Sequence, residues 1–445
     1  MRSSARTLGA ALLVQLLFGA GTALAADDGN GAHADSIVGD RASILFEAVH
    51  NNDLPLVEEL LESGLDVNGA NEYGATALYI AAADADAAIT ARLLNAGANP
   101  NKGLLSGETP LMEASRRGKS EAVWLLLNGG ADANAHESNG GQTALMWAAA
   151  ERHSDVAALL IANNADIHAR SGGGSTALMF AAQQGATETA QMLIIAGADP
   201  NEIMPGTAVT PLLIASAMGH GDVVSVLLAE GANPNAVDNE GFTSLHYVAT
   251  NKNGLGMVKE LLAHGADPNV RLRQTRRTAF ADSGVAWEGA TPLLYAAEIN
   301  NLEIVKALVA GGADPLIPTD QGTSALVLAA GGGTDLSRPR PLEERMTAIE
   351  TARYLVDRGA DANGAGQFGW APIHAASYQG LNDVIEYLVS AGADPDRMDG
   401  FGQTALSISN AVITEGLGAA YYQAARVFRR DTADLLLTLG ATPLE

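Results

Sequence analysis

The sequence predicts an all-α solenoid, a fold in which a short helix pair is repeated along the chain. Three observations carry this prediction: a fixed period, a helix-start motif and a helix-end motif. The helix-end motif, G-A-D/N-x-N and its variants, recurs at successive spacings of 33, 33, 34, 33, 34, 34, 47, 47, 33 and 48 residues. Its copies begin at Gly64, Gly97, Gly130, Asn164, Gly197, Gly231, Gly265, Gly312, Gly359, Gly392 and Gly440. Self-similarity at such a period is typical of stacked repeat architectures.

The first helix of each unit is predicted from the motif T-P/A-L-x-x-A-A, which follows most helix ends after about twelve residues. Its copies begin at Thr76, Thr109, Thr143, Thr176, Thr210, Thr243, Thr291, Ser324, Ala371 and Thr404. A Thr or Ser oxygen at this point accepts a backbone N–H and caps the helix, and proline suits the first helical position. Alanine in the following turns allows neighbouring helices to approach closely.

The second helix of each unit is predicted from V-x-x-L-L spacing, as in Val223–Leu228. The glycine that follows suits a left-handed helix end. Asp, Asn and Pro then favour a tight hairpin-like finger leading to the next unit. Because one unit buries no face alone, stability must come from stacking against neighbours.

This 33-residue unit resembles the ankyrin repeat, and the resemblance covers nearly all of residues 43–445. It implies a solenoid of about eleven repeats that binds another protein and performs no catalysis. One family feature is largely missing, because the histidine that usually follows T-P-L is kept only at His246 and His374. The other copies have Tyr79, Met112, Met146, Met179, Leu213, Leu294, Val327 and Ser407 at this position.

The N-terminal segment is predicted to be a secretory signal peptide, residues 1–25. Arg2 and Arg6 precede an apolar stretch, Leu8 to Phe18, and Ala23-Leu24-Ala25 forms an A-x-A cleavage site. A polar linker, residues 26–42, follows. The expectation is an exported bacterial protein, periplasmic or secreted, with no membrane span after cleavage. The alternative is an uncleaved membrane anchor.

Composition excludes several classes of function. Lys and Arg number 26 against 51 Asp and Glu, which gives a formal net charge of −25 and argues against a nucleic-acid partner. Cysteine is absent, so disulfides and thiolate metal sites are excluded.

The G-x-G-x-x-G match at residues 364–369 falls in a finger, not between a strand and a helix. The run Asp238-Asn239-Glu240-Gly241 is better explained as turn chemistry than as a calcium loop. We therefore predict no catalytic residues, no cofactor and no metal.

The resemblance also implies a partner-binding surface, because ankyrin contact residues usually come from finger tips and inner-helix ends. The matching positions are Glu72, Tyr73, Arg116, Arg117, Gln183, Gln184, Phe242, Trp287, Glu298, Gln367, Phe368, Trp370, Tyr378, Gln379 and Phe401. Six of them are aromatic and lie in the C-terminal half: Phe242, Trp287, Phe368, Trp370, Tyr378 and Phe401. Aromatic side chains at a surface favour binding. The alternative is that they pack against nearby insertions.

Three insertions, near residues 270–290, 331–345 and 415–430, lie in the same half. The first carries Arg271, Arg273, Arg276 and Arg277. Insertions in repeat proteins map to one face and often serve recognition, so this arginine cluster is expected to contact the partner. The alternative is an internal ion network with the acidic solenoid.

The function predicted from these features is that of a non-catalytic protein-binding scaffold or regulator in the cell envelope. The partner, another protein, would bind along the concave surface of a monomer. The alternative is a small-molecule or glycan binder that uses an aromatic groove in repeats 6–10. An enzyme with a site among the insertions is the third class.

Overall fold

The computed structural model describes residues 41–84, 86–273, 287–332, 342–411 and 428–443. The predicted signal peptide, most of the linker, Arg276, Arg277 and most of the three insertions lie outside these ranges. Within them the chain forms eleven helix pairs, as the repeat pattern predicts. The pairs fall into two compact units, an N-terminal unit that ends at Ala232 and a C-terminal unit that begins at Asn233.

Each pair consists of an inner helix, which follows a finger, and an outer helix. The inner helices are α1 (Arg41–His50), α3 (Ala77–Asp84), α5 (Pro110–Arg116), α7 (Ala144–Ala150), α9 (Ala177–Gln184), α11 (Pro211–Met218), α13 (Ser244–Ala249), α15 (Pro292–Glu298), α17 (Ala325–Ala329), α19 (Pro372–Gln379) and α21 (Ala405–Ser409). The outer helices are α2 (Leu54–Glu62), α4 (Ala87–Asn95), α6 (Ser120–Asn128), α8 (Ser154–Ala162), α10 (Thr187–Ile195), α12 (Gly221–Ala229), α14 (Leu255–Ala263), α16 (Leu302–Ala310), α18 (Leu342–Val356), α20 (Asn382–Ser390) and α22 (Arg430–Thr438). Most outer helices have nine residues, whereas α18 has 15 because the end of the second insertion joins it.

The inner helices begin where the threonine motif predicts. At α5 the Thr109 hydroxyl oxygen accepts the Met112 N–H at 3.3 Å, and Pro110 occupies the first turn. Ala371 has no such oxygen. There the His374 ring nitrogen Nδ1 accepts the Ala371 N–H at 3.0 Å, so the histidine closes the helix start instead.

The core of each unit lies between consecutive helix pairs. The leucine of the helix-start motif is fully buried, as at Leu111 and Leu145, and the following alanines are buried with it. On the outer helices the buried positions repeat with helical spacing, as at Val156 and Leu160 of α8. Within each unit every helix pair packs on the next, so burial in the described residues is spread along the unit.

An asparagine in most fingers joins one repeat to the next. The Asn134 amide nitrogen donates to the Asn164 carbonyl oxygen at 3.2 Å, and its side-chain oxygen accepts the Asp166 N–H at 2.7 Å. We call this two-bond arrangement the asparagine clasp. Both of its bonds recur at Asn68, Asn101, Asn235, Asn269 and Asn363. The sequence has His168 and Leu316 at this position in two other fingers, one in each unit, and neither side chain can form the clasp.

Candidate functional site: the finger tips and inner-helix ends

The tips of three fingers carry an exposed or partly exposed aromatic ring at the same position: Tyr73, Phe368 and Phe401. In the first and third fingers a polar side chain two residues earlier orders the tip. The Asn71 side-chain oxygen accepts the N–H groups of Tyr73 and Ala75, at 3.0 and 2.9 Å. Asp399 accepts those of Phe401 and Gln403, both at 2.8 Å. Ordinary turn chemistry therefore holds these two rings at the tips.

The finger that carries Phe368 is built differently. Gly366 replaces the polar residue, and a Cβ atom there would lie 2.9 Å from the Thr323 Cα atom of the preceding finger. Close finger packing thus requires glycine and removes the side-chain acceptor. Phe368 adopts the left-handed conformation, with φ 57° and ψ 26°, which costs a non-glycine residue roughly 1–2 kcal/mol. Backbone strain of this kind concentrates at functional sites.

Phe368 and Phe401 form an aromatic pair on adjacent fingers of the C-terminal unit. Their ring centroids lie 5.4 Å apart, and the Gly400 N–H donates to the Phe368 carbonyl oxygen at 2.6 Å. The Phe368 side chain is 48% exposed and Met398 beside this tip is exposed, whereas Phe401 is partly exposed. These residues form an apolar surface, which we call the Phe368 tip.

Three of the six aromatic residues expected at the surface are buried instead. Trp287, Trp370 and Tyr378 are only 2%, 7% and 4% exposed. The expectation was wrong for them because their positions face inward. Trp287 stacks on Tyr295 with centroids 4.5 Å apart and planes 15° apart. Trp370 packs against His374 and Tyr378, with ring centroids 6.1 and 6.0 Å away.

Phe242 is partly exposed and belongs to the same buried aromatic cluster as Tyr295. Its ring lies 5.3 Å from Tyr247 and 6.0 Å from Tyr295. Burial, with the nearby acidic groups as a smaller cause, raises the pKa values of Tyr247 and Tyr295. The aromatic groove suggested for a glycan in repeats 6–10 therefore has three of its rings covered by the protein itself.

The arginines that the structure describes in the first insertion do not form one exposed cluster. The Arg271 guanidinium pairs with Asp320 at 2.7 Å, which matches the internal alternative for this residue. Arg273 is exposed, and its backbone N–H donates to the Glu240 carbonyl oxygen at 3.4 Å. Arg276 and Arg277 lie outside the described residues.

The N-terminal unit has a polar and aromatic surface that the sequence reasoning did not single out. The Glu113 carboxylate is buried and accepts bonds from Arg116 at 2.6 Å and from Arg117 at 2.9 Å. The Arg116 guanidinium lies 5.9 Å from the centroid of the partly exposed Trp147 ring. Only Arg116 and Arg117 were noted from the sequence. Glu113 and Trp147 share one inner-helix position, four residues after the capping threonine, and that spacing could have revealed them.

The two other sequence motifs have structural explanations. The Asp238 carboxylate accepts the N–H groups of Glu240 and Phe242 at 2.9 Å and the Tyr247 hydroxyl at 2.6 Å, so the finger uses it as a turn acceptor. Residues 364–369 form a finger that includes the short 3₁₀ turn Gln367–Gly369. Within the described residues, no group of three or more His, Asp or Glu side chains is arranged to hold a metal ion. None of the described helices combines the length and apolar character of a membrane span.

Comparison with known protein families matches most of this architecture. Residues 4–103, 81–171, 111–204 and 178–271 match the family model described as ankyrin repeats in three copies. Residues 288–320 and 368–400 match the model of the single ankyrin repeat. The chain belongs to the ankyrin repeat family.

Short segments of this ankyrin repeat chain are similar to curated proteins of several kinds. It is 42% identical over 48 residues to protein phosphatase 1 regulatory subunit 27 of Homo sapiens, covering 11% of the chain and 31% of that protein. It is 37% identical over 62 residues to the 2-5A-dependent ribonuclease of Mus musculus, which covers 14% of the chain and 8% of that protein. A glycerophosphocholine phosphodiesterase of Eremothecium gossypii is 35% identical over 86 residues, covering 18% and 6%. The chain thus spans less than a third of each relative.

Proposed function

We propose that this chain is a non-catalytic scaffold or regulator that binds another protein through its finger tips and inner-helix ends. Ankyrin repeats are typically protein-binding modules, and one relative is by its name a regulatory subunit of a phosphatase. The observation that carries the proposal is the Phe368 tip, where a strained backbone presents a half-exposed ring beside Phe401. Apolar aromatic area held on a rigid backbone binds at a low cost in conformational entropy.

The experiment places a photo-crosslinking amino acid, benzoylphenylalanine, at single positions of the full chain in its native cells. Positions 368 and 401 report on the finger tips. Positions 346 and 437, which are exposed and apolar on outer helices α18 and α22, serve as matched controls. We expect one discrete protein adduct from the tips and none from the controls. Adducts from the controls with none from the tips would contradict the proposal.

We also propose that the chain is exported and that the partner lies in the cell envelope. The support is the sequence of the N-terminal segment, with its arginines, apolar stretch and A-x-A site. N-terminal sequencing of the protein from its native cells is expected to begin at Ala26 or one residue later. Protein that keeps residues 1–25 and fractionates with the membrane would show that the segment is an uncleaved anchor.

A further inference from the structure

The N-terminal unit carries a second apolar surface at two adjacent finger tips. Tyr73 is 66% exposed and Leu105 is 81% exposed. The Leu105 N–H donates to the Tyr73 carbonyl oxygen at 3.0 Å, so the backbone bond fixes the two tips against each other. Gly74 permits this approach, because a Cβ atom there would lie 2.9 Å from the Leu105 nitrogen. Two large apolar side chains are therefore held in solvent side by side.

A run of contacts leads from these tips to the inner helices. Within the second finger the Leu104 N–H donates to the Glu108 carbonyl oxygen at 2.8 Å. The Glu108 carboxylate in turn accepts the hydroxyl of Tyr79, on α3, at 3.3 Å. Tyr73, Tyr79, Leu105 and Glu108 thus lie on two adjacent, hydrogen-bonded fingers and on α3, and we call these four residues the Tyr79 surface.

The charges around the Tyr79 surface favour a cationic ligand. Glu113 accepts bonds from both nearby arginines, Arg116 and Arg117. Among the described residues, no lysine or arginine nitrogen lies within 4.0 Å of the Glu108 or Glu72 carboxylates. Residues 41–232 contain 22 acidic side chains and 8 basic ones, so the unit as a whole attracts cations.

We propose that the Tyr79 surface binds a segment of a partner protein that carries an arginine or lysine next to an apolar residue. The cationic head would pair with Glu108, and its aliphatic stem would lie on the tyrosine rings. The neighbouring apolar side chain would cover Leu105. An acidic segment would be repelled by Glu72 and Glu108. This proposal rests on the proposed protein-binding function and names the partner chemistry at a surface separate from the Phe368 tip.

The test uses random dodecapeptides displayed on phage and selected on the full chain, followed by Kd measurement for the selected peptides by fluorescence polarisation. We expect a consensus with arginine or lysine beside an apolar residue. Glu108→Gln should raise the Kd at least tenfold, and the Tyr73→Ser/Leu105→Ser variant should raise it similarly. Glu121→Gln, an exposed glutamate on outer helix α6, is the charge-matched control and should leave the Kd unchanged. The Kd should also rise with salt.

The proposal would be overturned if no selected peptide needed Glu108 for binding, or if the peptide consensus lacked a basic residue. It would also be overturned if Glu108→Gln and Glu121→Gln raised the Kd equally, or if free spermine bound as tightly as the peptides. The last would show a site for small cations. The Phe368→Ala/Phe401→Ala variant separates the two proposals, because it should keep full affinity for these peptides while losing the native partner. Suppose that Glu108→Gln loses peptide binding while the native partner binds the Phe368→Ala/Phe401→Ala variant as well as it binds the wild type. That result would refute the Phe368 tip as the partner-binding site and leave the Tyr79 surface supported.

Discussion

At two inner-helix positions, a repeat of the N-terminal unit exposes a side chain that a repeat of the C-terminal unit buries. Four residues after the capping position stand Trp147 in the first unit and Tyr295 in the second. Trp147 is partly exposed beside the Arg116 guanidinium, whereas Tyr295 is buried beneath Trp287. Seven residues after the cap, Arg116 is partly exposed and Tyr378 is buried. Aromatic enrichment in the C-terminal half therefore reflects core packing more than binding surface.

The units differ again at the third residue after the cap. The N-terminal unit has Tyr79, three methionines and Leu213 there, whereas the C-terminal unit has His246 and His374. The Nδ1 atom of each histidine accepts a backbone N–H. The Nε2 atom lies close to a carbonyl oxygen of the next finger, at 3.3 Å for His246 and 2.9 Å for His374. Both rings are buried and neutral, so we expect their protonation at low pH to destabilise the C-terminal unit.

The largest expected effect contrasts two tryptophans. Trp370→Ala should cost roughly 3–5 kcal/mol of the free energy of unfolding, because it leaves a cavity beside His374 and Tyr378. Trp147→Ala should cost about 1 kcal/mol of the free energy of unfolding, because its ring is already partly in water. Urea denaturation of both variants measures the difference. A larger loss in Trp147→Ala would reverse the contrast.

The next largest effect is expected for Leu145→Ala, which should lower the free energy of unfolding by about 2–4 kcal/mol, because this leucine is fully buried in α7. Since stacking couples mainly nearest neighbours, hydrogen exchange should accelerate first in the repeats around α7. Residues near 440 should keep their protection. Uniform loss of protection along the whole chain would show instead that the array unfolds as one unit.

Mild acid should destabilise the C-terminal unit selectively. Burial lowers the pKa of His246 to about 4 and also lowers that of His374. Because the unfolded chain titrates near the ordinary pKa of about 6.5, it binds protons first, so stability present above that pH is lost as pH falls toward 4. For His246 the loss should be about 2 kcal/mol by pH 5.

Hydrogen exchange at pH 7 and pH 5, corrected for the intrinsic rate, measures this loss in each unit. The His246→Met variant is the control, because methionine serves at this position in α5, α7 and α9 and does not titrate. Its C-terminal unit should lose less stability on acidification. Equal losses in both units of the wild type would contradict the assignment to buried histidine.

The smallest effect concerns the asparagine clasp and the two joints that have His168 or Leu316 in its place. Asn134→Ala should cost about 1–2 kcal/mol, because it removes both clasp bonds. His168→Asn should add a clasp and stabilise the N-terminal unit by about 1 kcal/mol, and Leu316→Asn should do the same in the C-terminal unit. Thermal unfolding measures each change, with Asn128→Ala, an exposed residue at the end of α6, as the control. A lower Tm for both added asparagines would refute the clasp as a stabilising joint.

The fold follows closely from the sequence, because most repeats carry their own helix-capping residue, buried leucine and left-handed glycine. The site does not, because exposure depends on neighbouring repeats. Trp370 and Phe368 are two residues apart, yet one faces the core and the other faces solvent. Glycine is required at position 366 by the close approach of Thr323, and Arg116 and Arg117 pair with Glu113 and not with Glu108. A local sequence motif predicts neither of these contacts.

Partner binding by variants of exposed and of buried aromatic residues shows directly which of them form the binding surface. The protein captured by crosslinking at position 368 is titrated against the wild type, Phe368→Ala/Phe401→Ala and the core variant Trp370→Phe. We expect the tip variant to lose at least about 2 kcal/mol of binding free energy, roughly a 30-fold rise in Kd, and Trp370→Phe to keep its affinity. Full affinity in the tip variant, with a loss in Trp370→Phe at unchanged stability, would contradict the claim that exposed finger tips form the binding surface.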